Sequence, residues 1–432
     1  MKHLVFWVFT IVFFSSFTGI SQTNKRDSIE AVKQQLLIKI YGNRNEQQIV
    51  DHDKSFVSDS RLYYEGLGGS PARNTYTDRD LIEKTLQNYI TGSSYNKLDK
   101  LESAFAGNAT LYLTINNEFK IITPKEYLTY FKGKPGTFNG RIGEILTIDI
   151  SDDIATAKAE IIIPARKTRF TDLFLLKKTG EGWQIVSKSA SYEKSNRSGN
   201  RILFIVSNAY YHGSSDIPTG NSFSEIVNAY DTFKEAGFTV DFVSPDGGSI
   251  PLAYINTSDS LHRKYLYNPD FMYALKHTHK PGEIKPEQYK AVHYIGGGSA
   301  MYGVPENSHI QKISMEIFEA YNGIISSVCH GTAGIVNLKT KEGKYLVHGK
   351  VISGYPDAYE KQDADYFKQF PFHIQKTIEN RGGTFRFSPR NSPHVEVQEN
   401  LVTGQNYLSS KDVAIEVIEK IKTKTDRETN RS

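Results

Sequence analysis

The single thiol of the chain, Cys329, directly precedes an imidazole in Val328-Cys329-His330-Gly331. A thiolate is a nucleophile and a histidine a proton acceptor, so the residue types suit covalent catalysis. The run Ile324-Ile325-Ser326-Ser327-Val328-Cys329-His330-Gly331-Thr332-Ala333-Gly334 reads as an apolar strand, a sharp turn, and small residues opening a helix. This is the form of a nucleophile elbow with cysteine in place of serine. The turn exposes the sulfur, small neighbours permit a strained backbone, and a helix N-terminus behind it stabilises a thiolate. The competing reading is an inert core cysteine. Neither reading involves an internal disulfide, since no second cysteine exists.

The elements around Cys329 are those of a parallel sheet. Arg201 to Val206 is a continuous apolar strand, as expected when both faces are buried. A helix from about Glu225 to Ala236 follows, then strands at 240–243 and 291–295, a helix near 310–321, and the strand leading to Cys329. Strand–helix alternation of this length predicts an α/β doubly wound domain, with ligands beyond the carboxyl ends of its strands. The excursion from Pro251 to Lys290 is too long for a simple connection and carries Tyr254, Tyr265, Tyr267, Phe271, Tyr273, His277 and His279. It is expected to cap the cysteine, or else to pack as an aromatic patch on the sheet. His277-Thr278-His279 hints at a metal but lacks a third placed ligand, so neither metal nor cofactor is expected.

The histidines divide the 432 residues: none lies between His52 and His212, and ten fall from His212 to His394. The polar segment 194–199 is expected as the linker. Before it, Thr77-Asp78-Arg79-Asp80 can cap a helix with apolar positions Leu81, Ile82, Thr85, Leu86, Tyr89 and Ile90. Strands follow at 145–150, 155–163 and 170–176, and the turn Thr179-Gly180-Glu181-Gly182 leads into Trp183-Gln184-Ile185-Val186 as a hairpin. Helices first and strands afterwards indicate an α+β domain.

Lys2 and His3, the apolar run Leu4 to Phe14, and the small residues Gly19 and Ser21 describe a secretory signal peptide over 1–21. The run is shorter than a membrane span, which takes about 20 residues; an uncleaved anchor is the alternative. The mature chain is expected to be periplasmic or secreted, with no membrane contact after cleavage. Residues 22–74 are unassigned and could pack onto the α+β domain; 423–432 are expected as a polar tail. With 52 basic and 48 acidic residues, a nucleic-acid partner is not expected.

Two resemblances add to this reading. Tyr89-Ile90-Thr91-Gly92, Ala104-Phe105, 122–128, Phe170-Thr171-Asp172-Leu173 and Gly182-Trp183-Gln184-Ile185-Val186 make residues 75–193 resemble the lumazine-binding, nuclear-transport-factor-2-like family. The resemblance implies a curved sheet forming a cone, used for ligand binding or homodimerisation. Residues 200–422 resemble the PfpI family of the class I glutamine amidotransferase-like superfamily, nearest its heat-shock-protein-31-like, glyoxalase III branch. The motifs are Thr219-Gly220 with Glu225, 236–248, Gly296-Gly297-Gly298-Ser299-Ala300-Met301, Val328-Cys329-His330-Gly331, 354–360 and 400–406.

By resemblance Cys329 is the nucleophile, His330 the general base, Glu360 the acid that orients the histidine, and Glu225 the buried glutamate beside the sulfur. Backbone N–H groups of Gly297 or Gly298, and of His330, suit an oxyanion. Many relatives have histidine or asparagine where this chain has Gly298. The implied substrate is a small carbonyl compound, methylglyoxal going to lactate, although methylglyoxal arises mostly in the cytoplasm. Amide or peptide hydrolysis and a non-enzymatic stress holdase or ligand binder are the alternatives. A rival triad would pair Cys329 with His394-Val395-Glu396, the His-x-Glu spacing of glutamine amidotransferases. That pair runs into 397–401, expected as an ordinary late strand.

Overall fold

The computed structural model describes residues 76–429, so the expected signal peptide and residues 22–74 lie outside the described residues. Helix α1 (Asp78–Ser94) opens with a capping box: the Thr77 hydroxyl accepts from the Asp80 N–H, and the Asp80 carboxylate accepts from the Thr77 N–H. Its buried stripe of Ile82, Leu86, Tyr89 and Ile90 has helical spacing. After α2 (Leu98–Ser103) come strands β1 (Phe105–Ile115) and β2 (Glu118–Ile122), helix α3 (Pro124–Leu128), then β3 (Ile142–Ser151), β4 (Ile154–Ile163), β5 (Thr168–Thr179) and β6 (Gly182–Lys194).

These strands form one six-stranded sheet, β2-β1-β6-β5-β4-β3, antiparallel except where β1 runs parallel to β6. The α+β expectation holds, but the sheet is mixed rather than a plain meander. The difference comes from β1 and β2, a hairpin absent from the sequence reading. Asn116 and Asn117 close it in left-handed backbone (φ 53° and 65°), which asparagine tolerates better than most residues.

The second domain is α/β and doubly wound, as expected. It comprises β7 (Arg201–Ile205), α4 (Phe223–Glu235), β8 (Thr239–Val243), α5 (Ser260–Leu266), α6 (Pro269–Lys276), β9 (Tyr289–Tyr294), α7 (Ser308–Glu319), β10 (Ile324–Val328), β11 (Val395–Gln398), β12 (Leu401–Gly404) and α8 (Ser410–Thr429). The sheet order is β11-β12-β10-β9-β7-β8, all parallel except β11. Separate cores sheathe it: Ile226, Phe233, Val413 and Val417 belong to one, Ile310, Ile317, Ile335 and Val347 to the other. The expected late strand at 397–401 is split in two: 397–398 close β11, Leu401 opens β12, and Glu399, left-handed (φ 54°), turns between them. The expected tail likewise continues α8 as far as Thr429. Among the described residues no helix is long and apolar enough to cross a membrane.

Residues 194–199 join the domains without forming a loose tether. Buried Arg197 reaches Glu160 of β4 (3.2 Å) and the hydroxyl of Thr239 on β8 (2.6 Å). Beside it Arg201 grips Asp241 through two N–H groups and lies 3.5 Å from Glu144 of β3. Burial alone would raise Glu160, but Arg197, Lys234 and Arg169 outweigh it and hold the carboxyl below its ordinary range. Helix α6 also docks on the first domain. Tyr273 Oη accepts from Arg79 (2.7 Å) and from the Ile148 N–H (2.8 Å), and donates to the Ile148 carbonyl (3.0 Å).

Arg197→Met leaves Glu160 buried with Arg169 as its remaining ion-pair partner and Lys234 as a further cation nearby. Breaking a buried pair from one side costs about 3 kcal/mol. Denaturant unfolding is expected to show that loss, with both domains affected together; a change below about 1 kcal/mol would show that the junction does not depend on this cation.

Candidate active site

Strand β10 ends at Val328, and Cys329 follows in left-handed backbone (φ 56°). A side chain there is strained, so neighbouring segments must hold it. Small residues let them approach: a Cβ on Gly331 would lie 2.4 Å from the Tyr294 carbonyl oxygen, and one on Gly334 2.3 Å from the Tyr294 ring. The element behind the cysteine is a seven-residue 3₁₀ segment, Cys329–Ile335, and not the α-helix expected from sequence. Close packing over β9 leaves no room for a wider turn. Stabilisation of the sulfur therefore rests on one directed donor, the His330 N–H, and not on a long helix dipole.

The side chains converge on this turn. Cys329 Sγ is 3.5 Å from His330 Nδ1, and His330 Nε2 is 2.6 Å from Glu360 Oε1. Tyr366 donates to the other oxygen of Glu360 (2.9 Å), and the Tyr355 ring stacks on the imidazole at 4.6 Å. Burial would raise Glu360, but the hydrogen bond and charge of His330, with Tyr366, hold its carboxyl below the ordinary range. An ionised Glu360 accepts a hydrogen bond from Nε2–H, which fixes the tautomer and leaves the Nδ1 lone pair facing the thiol.

Glu225 enters from the N-terminus of α4, where the Gly296 N–H donates to Oε2 (2.8 Å) and its carboxyl hydrogen-bonds the Cys329 sulfur. Burial pushes Glu225 up to about 7. Burial, and then the Glu225 charge, push the Cys329 thiol well above its ordinary range, opposite to the thiolate expected from a helix N-terminus. The geometry thus presents a protonated sulfur with two adjacent proton acceptors of different strength.

Gly297 (φ 97°) and Gly298 lie where β9 gives way to the turn facing this site. A Cβ on Gly298 would sit 2.5 Å from His212 Cε1 and 2.5 Å from Thr219 Oγ1. His212, from the loop after β7, thus occupies the space that a side chain at 298 would need. It is buried among Tyr302, Tyr366 and Phe370, and burial, followed by His330, lowers its pKa. Sequence reasoning missed His212, Tyr366 and Phe370; only the onset of histidines at position 212 hinted at one of them.

The aromatic excursion divides. Tyr254, left-handed (φ 58°), has its phenol within electrostatic reach of Cys329 and Glu225. Phe271 and Tyr265 pack in the core beside α4, and Tyr273 docks on the first domain. As a whole the segment does not cap the cysteine, because docking fixes its path. His277 Nδ1 meets the Tyr273 carbonyl and His279 meets Glu283, so the two histidines diverge. His394 bonds Glu396 (3.1 Å) and Ser388 (2.9 Å), and the structure joins Cys329 to His330 and Glu360 instead.

Residues 217–420 match the family model described as "DJ-1/PfpI family", and 77–191 the one described as "Putative lumazine-binding". The chain is 30% identical over 209 residues to a glutathione-independent glyoxalase of Schizosaccharomyces pombe, covering 45% of this chain and 86% of that one. It is 26% identical over 214 residues to glyoxalase 3 of Candida albicans, covering 46% and 89%. The crystal structure of glyoxalase III from Candida albicans matches with a TM-score of 0.46 and 24% identity, over 51% of this chain and 97% of that one.

Two outcomes are expected. In the unfolded chain Glu225 ionises near 4.3, whereas in the fold it keeps its proton until about 7. Stability is therefore lost as pH rises across that interval, by about 4 kcal/mol in all, and Glu225→Gln is expected to be the more stable protein at pH 8. The same substitution removes the charge opposing the thiolate, so Cys329 alkylation at pH 8 is expected to quicken; slower alkylation would contradict the assignment. Separately, Gly298→Ala is expected to lower the melting temperature, and His212→Gly in the same chain to restore most of the loss.

Proposed function

This chain belongs to the DJ-1/PfpI family, and on that premise we propose that its second domain is a cysteine-dependent glyoxalase of the glutathione-independent kind, converting methylglyoxal and water to lactate. The observation that carries the reading is the chain of contacts from Cys329 Sγ through His330 to Glu360, with Glu225 on the sulfur from another side. The glutathione-independent glyoxalases among its relatives support the same reaction class.

The steps balance. His330 Nδ1 takes the thiol proton as the sulfur bonds to the aldehyde carbon, and the new alkoxide is protonated to a hemithioacetal. N–H groups of His330 and of Gly297 or Gly298 are the donors offered to that oxygen. A base, His330 or Glu225, then removes the hydrogen on the former aldehyde carbon. Its electrons form the enediol double bond while the ketone oxygen gains a proton. Reprotonation at the neighbouring carbon, with loss of the proton from the hydroxyl on the sulfur-bearing carbon to the base, gives a thioester, which water cleaves to lactate and the free thiol. A carboxyl near pKa 7 suits both giving and taking a proton at neutral pH. We further place this activity outside the cytoplasm, on the export segment 1–21 read from the sequence.

Purified protein given methylglyoxal is expected to form lactate without added thiol. Cys329→Ala abolishes turnover, and Glu360→Gln lowers kcat by about 10²-fold through loss of imidazole orientation, in keeping with the usual scale of acid–base assistance. Wild-type protein that forms no lactate overturns the reading. Ammonia release from amides by the same cysteine would assign hydrolysis instead.

A further inference from the structure

The first domain encloses a cavity of its own, about 800 Å³. That volume suits a small organic ligand. Part of its polar lining is already neutralised. Lys188 and Asp172, each 2% exposed, pair at 3.0 Å. Tyr89 donates to the second oxygen of Asp172 (2.7 Å), and the Tyr127 hydroxyl lies 3.0 Å from that of Tyr89. The Lys188 ammonium also lies over the Tyr89, Tyr127 and Phe174 rings, at 5.7, 5.6 and 5.9 Å. Both oxygens of Asp172 are thus occupied, and the pair adds no net charge.

Arg141 is different. Its guanidinium lies over the Phe131 and Phe170 rings, 5.6 and 5.8 Å from their centroids. It forms no ion pair among the described residues, and its buried Nε has no hydrogen-bond partner there. Asp172 is the acid near it, but that carboxylate is committed to Lys188 and Tyr89. Burial opposes its charge, while the Tyr127 and Tyr89 phenols and the Asp172 charge help hold the guanidinium ionised. None of them forms an ion pair with it, so an anion entering from solvent meets a positive fork with an unfilled donor. The fixed guanidinium fork matches a carboxylate. Arg141 is the cation set among the aromatic walls, whereas Lys132 and Arg166 on the same lining are exposed to solvent, so the inner site calls for one negative charge, and Asp172 disfavours a second. The walls supplied by Tyr127, Phe131 and Phe170 favour a flat apolar body.

We propose that the first domain binds a small aromatic monocarboxylate, with the carboxylate on Arg141 and the ring among Phe131, Phe170 and Tyr127. The site is independent of the cysteine chemistry, so the two readings stand or fall separately.

Calorimetric titration of the full chain with 2-naphthoate, against its neutral analogue 2-naphthamide, tests the site. The acid is expected to bind once per chain and at least tenfold tighter than the amide. Arg141→Met removes that preference and leaves amide binding within about twofold, while Cys329→Ala binds both as wild type does. Equal affinity for acid and amide in the wild type, no binding of either, or loss of binding in Cys329→Ala overturns the proposal. If Arg141→Met does not fold, the wild-type comparison and Arg141→Lys decide. The lysine variant, which keeps the charge but not the fork, must fall between wild type and no preference.

Discussion

The second domain is organised around a cysteine held in left-handed backbone and shielded from water. Both conditions are unfavourable for an ordinary residue, and they explain what lies nearby. The turn can exist only if β9 and its following glycines come within contact of it, so Gly296, Gly331 and Gly334 sit where any Cβ would collide. The parallel sheet supplies the stiffness: β10 is flanked by β9 and β12 and buried on both faces, so the strain at its end cannot relax along the strand.

Shielding sets the electrostatics. A buried thiol and a buried carboxyl in contact cannot both ionise cheaply, so the pair holds protons that solvent would remove. His330 and Glu360 form the opposite arrangement, in which an ionised acid is held by a hydrogen-bonded base. The sulfur therefore lies between a reluctant acid and a willing base. Optimising this neighbourhood for stability would work against its chemistry.

Much of this was legible in the sequence, and the misses have physical causes. Apolar runs marked β7 and β10, and Thr77 marked the start of α1, because burial and capping are local demands. The pairing of Cys329 with His330 was read from adjacency and that of Glu225 and Glu360 with them from motif resemblance, whereas their contacts depend on the fold. The 3₁₀ turn, the raised thiol and the seat of His212 all depend on how closely distant segments approach. So does the parallel pairing of β1 with β6, which joins residues far apart in sequence. Phe105–Ile115 does alternate buried and exposed residues toward its end, and Asn116-Asn117 is a turn signal, so that hairpin was readable from local pattern.

The hydroxyl of Tyr273 has a consequence for assembly. Strand β3 is the outer strand of the first domain's sheet, and the outward-facing N–H and carbonyl of Ile148 are the groups another strand would use to attach. A side chain of the second domain occupies both, with Lys158 and Asp270 pinning the same helix alongside at 2.7 Å. The second domain thus acts as an edge guard for its neighbour. Another strand cannot pair with the middle of β3 without displacing that hydroxyl.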